Sequence, residues 1–78
     1  MDAAKDAAFD AFCVALGRRV RQLRLERKLT QEDMGDYGFV VRHYQRIEAG
    51  RSVTVKTLWK LAQAFDVSPR AILPVGSE

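Results

Sequence analysis

Apolar residues recur along the first third of the chain at alternating spacings of four and three: Phe9, Cys13, Leu16, Val20 and Leu23. That spacing draws one stripe down a helix, and Phe12 widens it. Ala3, Ala4, Ala7, Ala8 and Ala11 add helix propensity. Asp2, Asp6 and Asp10 suit the positive N-terminal end of a helix dipole. The pattern predicts a first helix from near residue 3 to Arg27. Gly17 lies inside it and costs about 1 kcal/mol relative to alanine, with no other sign of a break.

The remaining elements are shorter and better punctuated. Thr30 is an N-cap candidate, and Glu32 and Asp33 place negative charge in the first turn that follows. Gly38 closes this second helix, expected over residues 31–37. A third run, 41–48, closes at Gly50. Thr54 caps a fourth helix whose apolar face is Val55, Leu58, Leu61, Ala62 and Phe65, ending at Asp66-Val67. Ser68-Pro69 is a cap followed by proline at the first helical position. The fifth helix, 69–73, stops at Pro74. No segment alternates as a strand does, and nothing repeats. The fold class is therefore all-α, a compact five-helix bundle. One domain spans 1–78, with 1–15 as an N-terminal helical extension and 74–78 as a frayed tail.

Composition narrows the function classes. A chain of 78 residues buries a modest core. With one cysteine, Cys13, and one histidine, His43, it forms no internal disulfide and offers no metal cluster. No cofactor is implied. No nucleophile stands beside a base and no glycine-rich phosphate loop exists, so no enzyme is read. No apolar run is long enough to span a membrane. The N-terminus lacks a signal-peptide pattern, and a single free thiol suits a reducing cytoplasm.

The net charge is +3, and its distribution says more. Arg18, Arg19, Arg21, Arg24, Arg27 and Lys28 cluster within residues 18–28, and Arg42, Arg46 and Arg51 form a second group. Clustered arginine is the footprint of a nucleic-acid binder; the bland reading of the first cluster is a solvated helix face. The second cluster is more telling. Helices two and three, joined by a tight turn, make a shape that fits a DNA major groove, and the latter presents Arg42, His43, Gln45 and Arg46. Arg42 and Arg46 share one face, and an arginine can hold guanine O6 and N7 with two hydrogen bonds. Each reads a base edge, or one of them grips a phosphate or meets only solvent. Val41 meets a thymine methyl or is half-buried packing. Arg51, Ser52, Lys56 and Thr57, with Arg27 and Lys28, are phosphate candidates, which position without reading sequence. Thr30, His43 and Gln45 join the further DNA contacts, with simple surface exposure as the other reading of His43.

Three blocks in order carry a family resemblance: Thr30-Gln31-Glu32-Asp33-Met34, Arg46-Ile47-Glu48-Ala49-Gly50, and residues 58–68, Leu-Trp-Lys-Leu-Ala-Gln-Ala-Phe-Asp-Val-Ser. From about Leu16 to Leu73 the chain resembles the phage-repressor and Cro-like helix-turn-helix family. That family includes Xre-type regulators and the controller proteins of restriction–modification systems. The resemblance implies a lambda-repressor-like arrangement with double-stranded DNA as ligand. It places Gln31 at a phosphate and Val41, Arg42 and Arg46 at base edges. It makes Arg24 and Glu48 a partly buried structural ion pair. The chain departs from the pattern by one residue fewer between Met34 and Ile47, and by Val40 where a capping serine or threonine is usual.

These readings converge on a sequence-specific DNA-binding transcription regulator, a repressor acting as a homodimer. Trp59, Ile72 and Leu73 are the expected dimer surface. Phe9 and Phe12 either extend that surface or pack on Trp59. The competing reading keeps the fold but makes it an antitoxin-like or regulator-sequestering protein-interaction module with a protein partner.

Overall fold

The computed structural model describes residues 3–74. Among the described residues there are three α-helices: α1 (Ala3–Glu26), α2 (Val41–Glu48) and α3 (Val55–Phe65). The second and fifth expected helices are not α-helices. They are 3-10 segments, Glu32–Tyr37 and Pro69–Ala71. The reason is length. Each is confined between a start signal and a nearby stop, Gly38 in one case and Pro74 in the other. Three-residue hydrogen bonds close such short turns, as Met34 N–H does to Gln31 O at 3.1 Å and Ile72 N–H to Pro69 O at 3.1 Å. Of the expected frayed tail, residues 75–78 lie outside the described residues, as does Asp2.

Four helical C-termini share one device. The α1, 3-10, α2 and α3 segments each end with a residue in the left-handed region: Lys28, Gly38, Gly50 and Asp66, with φ of 58°, 90°, 99° and 55°. In each, the following N–H reaches back to a carbonyl five residues earlier: Leu29 to Arg24, Phe39 to Met34, Arg51 to Arg46 and Val67 to Ala62. This is the Schellman arrangement, which satisfies carbonyls that a helix end leaves free. At the second segment's start, Thr30 Oγ1 accepts from Asp33 N–H at 3.0 Å while Thr30 N–H donates to Asp33 Oδ2 at 2.8 Å. These reciprocal bonds are a capping box with aspartate in the glutamate's role. Thr54 Oγ1 likewise accepts from Thr57 N–H at 3.1 Å to start α3.

The core joins Leu16, Val20 and Leu23 of α1 to Met34, Phe39, Tyr44, Ile47, Leu61, Ala62, Phe65 and Ile72. The apolar stripe of α1 thus starts at Cys13 rather than at Phe9, which is 55% exposed. On α3 the stripe starts at Leu58, for Val55 is 83% exposed. Inside α1, Gly17 has a reason the periodicity did not reveal. A Cβ there would lie 2.6 Å from Ile47 O and 3.0 Å from Glu48 O. Glycine lets α1 cross directly over the C-terminal end of α2.

Candidate nucleic-acid interface

The outer face of α2 is held in place from below. Arg24, buried on α1, donates from Nε to Glu48 Oε2 at 2.6 Å and from Nη2 to Glu48 Oε1 at 3.0 Å. This is the two-pronged geometry arginine forms with a carboxylate. A third bond, from Nη1 to Leu29 O at 2.8 Å, ties in the chain after α1. Gln31 Nε2 also donates to Glu48 Oε1 at 3.1 Å, and Gln31 Oε1 accepts from Gln45 Nε2 at 3.4 Å. Arg24 and Glu48, paired by resemblance in the sequence, are thus in direct contact here. Gln31 spends its amide bridging that pair to the α2 surface.

Burial alone would raise the Glu48 carboxyl. The hydrogen bonds it receives, from Arg24 foremost, outweigh burial and hold it below its ordinary range. The Arg24 guanidinium moves up through the same bonds, against desolvation. Tyr44 is buried beside the pair, and its hydroxyl has no partner at hydrogen-bonding geometry. Burial, with the Glu48 charge nearby, pushes its ionisation up. Its ring meets Phe39 edge-on, with centroids 5.7 Å apart.

From this base α2 presents Arg42, His43, Gln45 and Arg46 to solvent, while Val41 is half-buried. The helix breaks local rules at its start. Val40 stands at the N-cap, makes no side-chain cap and is 73% exposed, and the first turn holds no acidic residue. An uncapped positive end next to Arg42 is electrostatically unfavourable in isolation and favourable beside an anion. Such local conflicts are expected at functional surfaces.

Lys60 of α3 also shapes this surface, which the sequence did not disclose. Its Nζ donates to Gly38 O at 2.8 Å and lies 4.7 Å from the Phe39 ring centroid. The contact secures the turn before α2. Arg51 and Lys56 are exposed on either side of the loop that follows α2.

Other expected sites move. Arg27 is not free for phosphate. Its Nε and Nη2 donate to Phe65 O at 3.0 and 2.7 Å, and its guanidinium lies 5.5 Å from the Phe65 ring centroid. It caps the end of α3. Arg19 likewise leaves the solvated set, donating from Nε to Ala71 O at 2.9 Å. Ile72, expected at a dimer surface, is 0% exposed within the single chain. The hydrophobic effect places it in the core, where a second copy cannot reach it. Trp59 remains 55% exposed, and Leu73 packs partly on the core. Phe9 and Phe12 face Arg51 and Val53 across a small recess that Trp59 does not line. Among the described residues no group of three or more His, Cys, Asp or Glu converges to hold a metal ion, and no helix is long and apolar enough to cross a membrane.

The helix-turn-helix family profile matches residues 20–72, from mid-α1 through the second 3-10 turn. The chain belongs to the helix-turn-helix family. Within that span the 3-10 segment Glu32–Tyr37 and α2 are joined by a turn at residues 38–40. The fold is similar to the crystal structure of the restriction–modification controller protein C.AhdI from Aeromonas hydrophila, with a TM-score of 0.76 and 34% identity over 81% of this chain and 98% of that one. No curated protein matches the chain.

Proposed function

We propose that this helix-turn-helix chain is a sequence-specific regulator of transcription that binds double-stranded DNA as a homodimer and acts as a repressor in the cytoplasm. The observation that carries the reading is the exposed quartet Arg42, His43, Gln45 and Arg46 on a helix whose underside is fixed by the Arg24–Glu48 pair. Arg42 and Arg46 enter the major groove with Val41 and read base edges. Arg51 and Lys56 grip the flanking backbone, while Gln31 and Thr30, whose polar groups are held by Glu48 and Asp33, position the elements that present them. His43 and Gln45 add further DNA contacts. The likeness to a restriction–modification controller protein supports the same class.

A single short helix reads few bases, so useful specificity calls for two copies with their reading helices about 34 Å apart. Trp59 and Val55, exposed one turn apart on α3, and Leu73 offer the apolar surface for that contact. Selection of bound duplexes from a random pool tests the reading directly. A paired half-site is the expected product, with affinity falling about 100-fold between about 50 and 200 mM salt, the effect of about four phosphates neutralised by Arg51 and Lys56 of two copies. Retention of no duplex, or salt-independent binding, would overturn it in favour of the protein-interaction module. Sedimentation at micromolar concentration is expected to show a dimer.

A further inference from the structure

We infer that the part of α1 ahead of residue 20 is a brace for the loop between α2 and α3, and that Phe9 and Phe12 are positioning residues for Arg51. The inference rests on the reading of Arg51 as a DNA contact. The family match begins at residue 20, while α1 begins at Ala3.

That stretch touches the loop at backbone range. A Cβ on Gly50 would lie 3.0 Å from Val14 Cγ2 and 3.4 Å from Val14 Cα. Val14 and Gly17 are three apart, on one side of α1, and Gly17 abuts the carbonyls that end α2. Beside this contact, Phe9, Phe12, Cys13 and Leu16 form one wall of a recess of about 50 Å³, and Arg51 and Val53 form the other. Phe12 and Val53 also pack on the core. The loop is continuous with the reading helix, because Arg51 N–H donates to Arg46 O at 3.0 Å and Gly50 N–H to Ile47 O at 3.1 Å.

The physical consequence is pre-ordering. A surface arginine surrenders its rotamer freedom when it grips a phosphate, and binding weakens by that amount. An arginine stem commonly lies along apolar surface while its head stays in water. The phenylalanine wall supplies such a surface and fixes the loop backbone, so less freedom is lost on contact with DNA. Phe9 is 55% exposed; its aromatic ring contributes more to this wall than to the core.

The test uses the full chain and its selected duplex, with Phe9→Ala, Phe12→Leu, Arg51→Ala and the double variant Phe9→Ala/Arg51→Ala. For Phe9→Ala the expected result is a melting temperature within a few degrees of wild type and affinity lower by about 2- to 10-fold per half-site, the range for ordering one long side chain. The slope of log affinity against log salt should weaken toward that of Arg51→Ala, which loses about 0.9 per phosphate contact. The double variant should bind no worse than Arg51→Ala, since both act through one contact. Amide exchange at Gly50 and Arg51 should quicken in Phe9→Ala, and more weakly in Phe12→Leu. Additive losses, unchanged exchange at both amides, or an Arg51→Ala variant that binds like wild type would each overturn the brace while leaving the DNA-binding reading intact. Failure of the wild-type chain to bind any duplex would bring down both, and is recognised because it precedes every variant.

Discussion

Gly17 on α1 stands so close to Ile47 on α2 that a Cβ would meet the Ile47 carbonyl oxygen at 2.6 Å. The obstacle is backbone, not the tip of a flexible side chain, so it cannot swing aside. Gly17→Ala would gain roughly 1 kcal/mol in helix propensity. The overpacking term, about 1–3 kcal/mol, opposes that gain and with so short a contact exceeds it. Gly17→Ala is therefore expected to melt below wild type, and a rise in its melting temperature would contradict the close crossing.

The Arg24–Glu48 pair gives a pH signature. Glu48 has its pKa lowered in the fold, so its stabilising contribution is complete above the ordinary carboxylate range and disappears as pH falls through the lower folded value. Glu48→Gln keeps the shape but removes the charge. Its melting temperature should sit below wild type at neutral pH, and the gap should close only in acid below that ordinary range. Arg24→Ala, which strands a buried carboxylate, is expected to cost about 3–5 kcal/mol. Thermal melts of the three proteins from neutral pH into acid provide the check; a gap that does not change with pH would remove the pair as its source.

Lys28 and Asp66 hold left-handed backbone at helix ends where glycine stands in the two equivalent turns. An L-residue there costs roughly 1–2 kcal/mol, part of which glycine gives back through its freer unfolded state. Asp66→Gly is expected to gain up to about 1 kcal/mol, a rise of about 4–8 °C for a domain of this size. A lowered melting temperature would mean that the Asp66 side chain, not the turn, governs this end of α3.

These two turns mark where sequence reading stopped. Gly38 and Gly50 announced their helix ends because glycine is the residue such turns favour. Lys28 carries no such signal, so the sequence pattern runs the first helix on to Arg27. Helix α2 was legible over its full Val41–Glu48 span, and so were the Thr54 cap and most of the core. The 3-10 character of the second and fifth segments was not, since their apolar spacing suits either geometry over so few residues. Among the charged residues, pattern alone could not separate tertiary anchors from surface. Arg19 and Arg27 reach carbonyls 52 and 38 residues away, and no local spacing encodes such partners. For the same reason nothing local marks Ile72, apolar and near the end of the domain, as a core residue.

Arg27→Ala separates the two kinds of arginine. Its guanidinium satisfies Phe65 O with two bonds and stacks on the ring. Removal should lower stability by about 1–3 kcal/mol, the cost of orphaning a partly buried carbonyl. The salt slope of DNA binding, measured where the variant is fully folded, should stay at the wild-type value. A reduced slope without lost stability would return Arg27 to the phosphate contacts.

Arg46 supplies the sharpest distinction between reading and gripping. It lies in the last turn of α2, two residues before Glu48, whose carboxylate Arg24 holds from below. Its own carbonyl is held by the Arg51 N–H. Its Cα is therefore fixed in register from both sides while its guanidinium remains exposed. A side chain so mounted can meet one base edge reproducibly. Arg46→Ala should lose roughly 1–3 kcal/mol per half-site on the selected duplex and relax the preference at one base pair, because bidentate contact to guanine carries identity. Lys56→Ala should weaken all duplexes alike, since phosphates carry none. Titration of each variant against the selected duplex and its single-base substitutions decides the roles. If Arg46→Ala weakens every duplex by the same factor, Arg46 grips the backbone, and base reading passes to Arg42 one turn earlier.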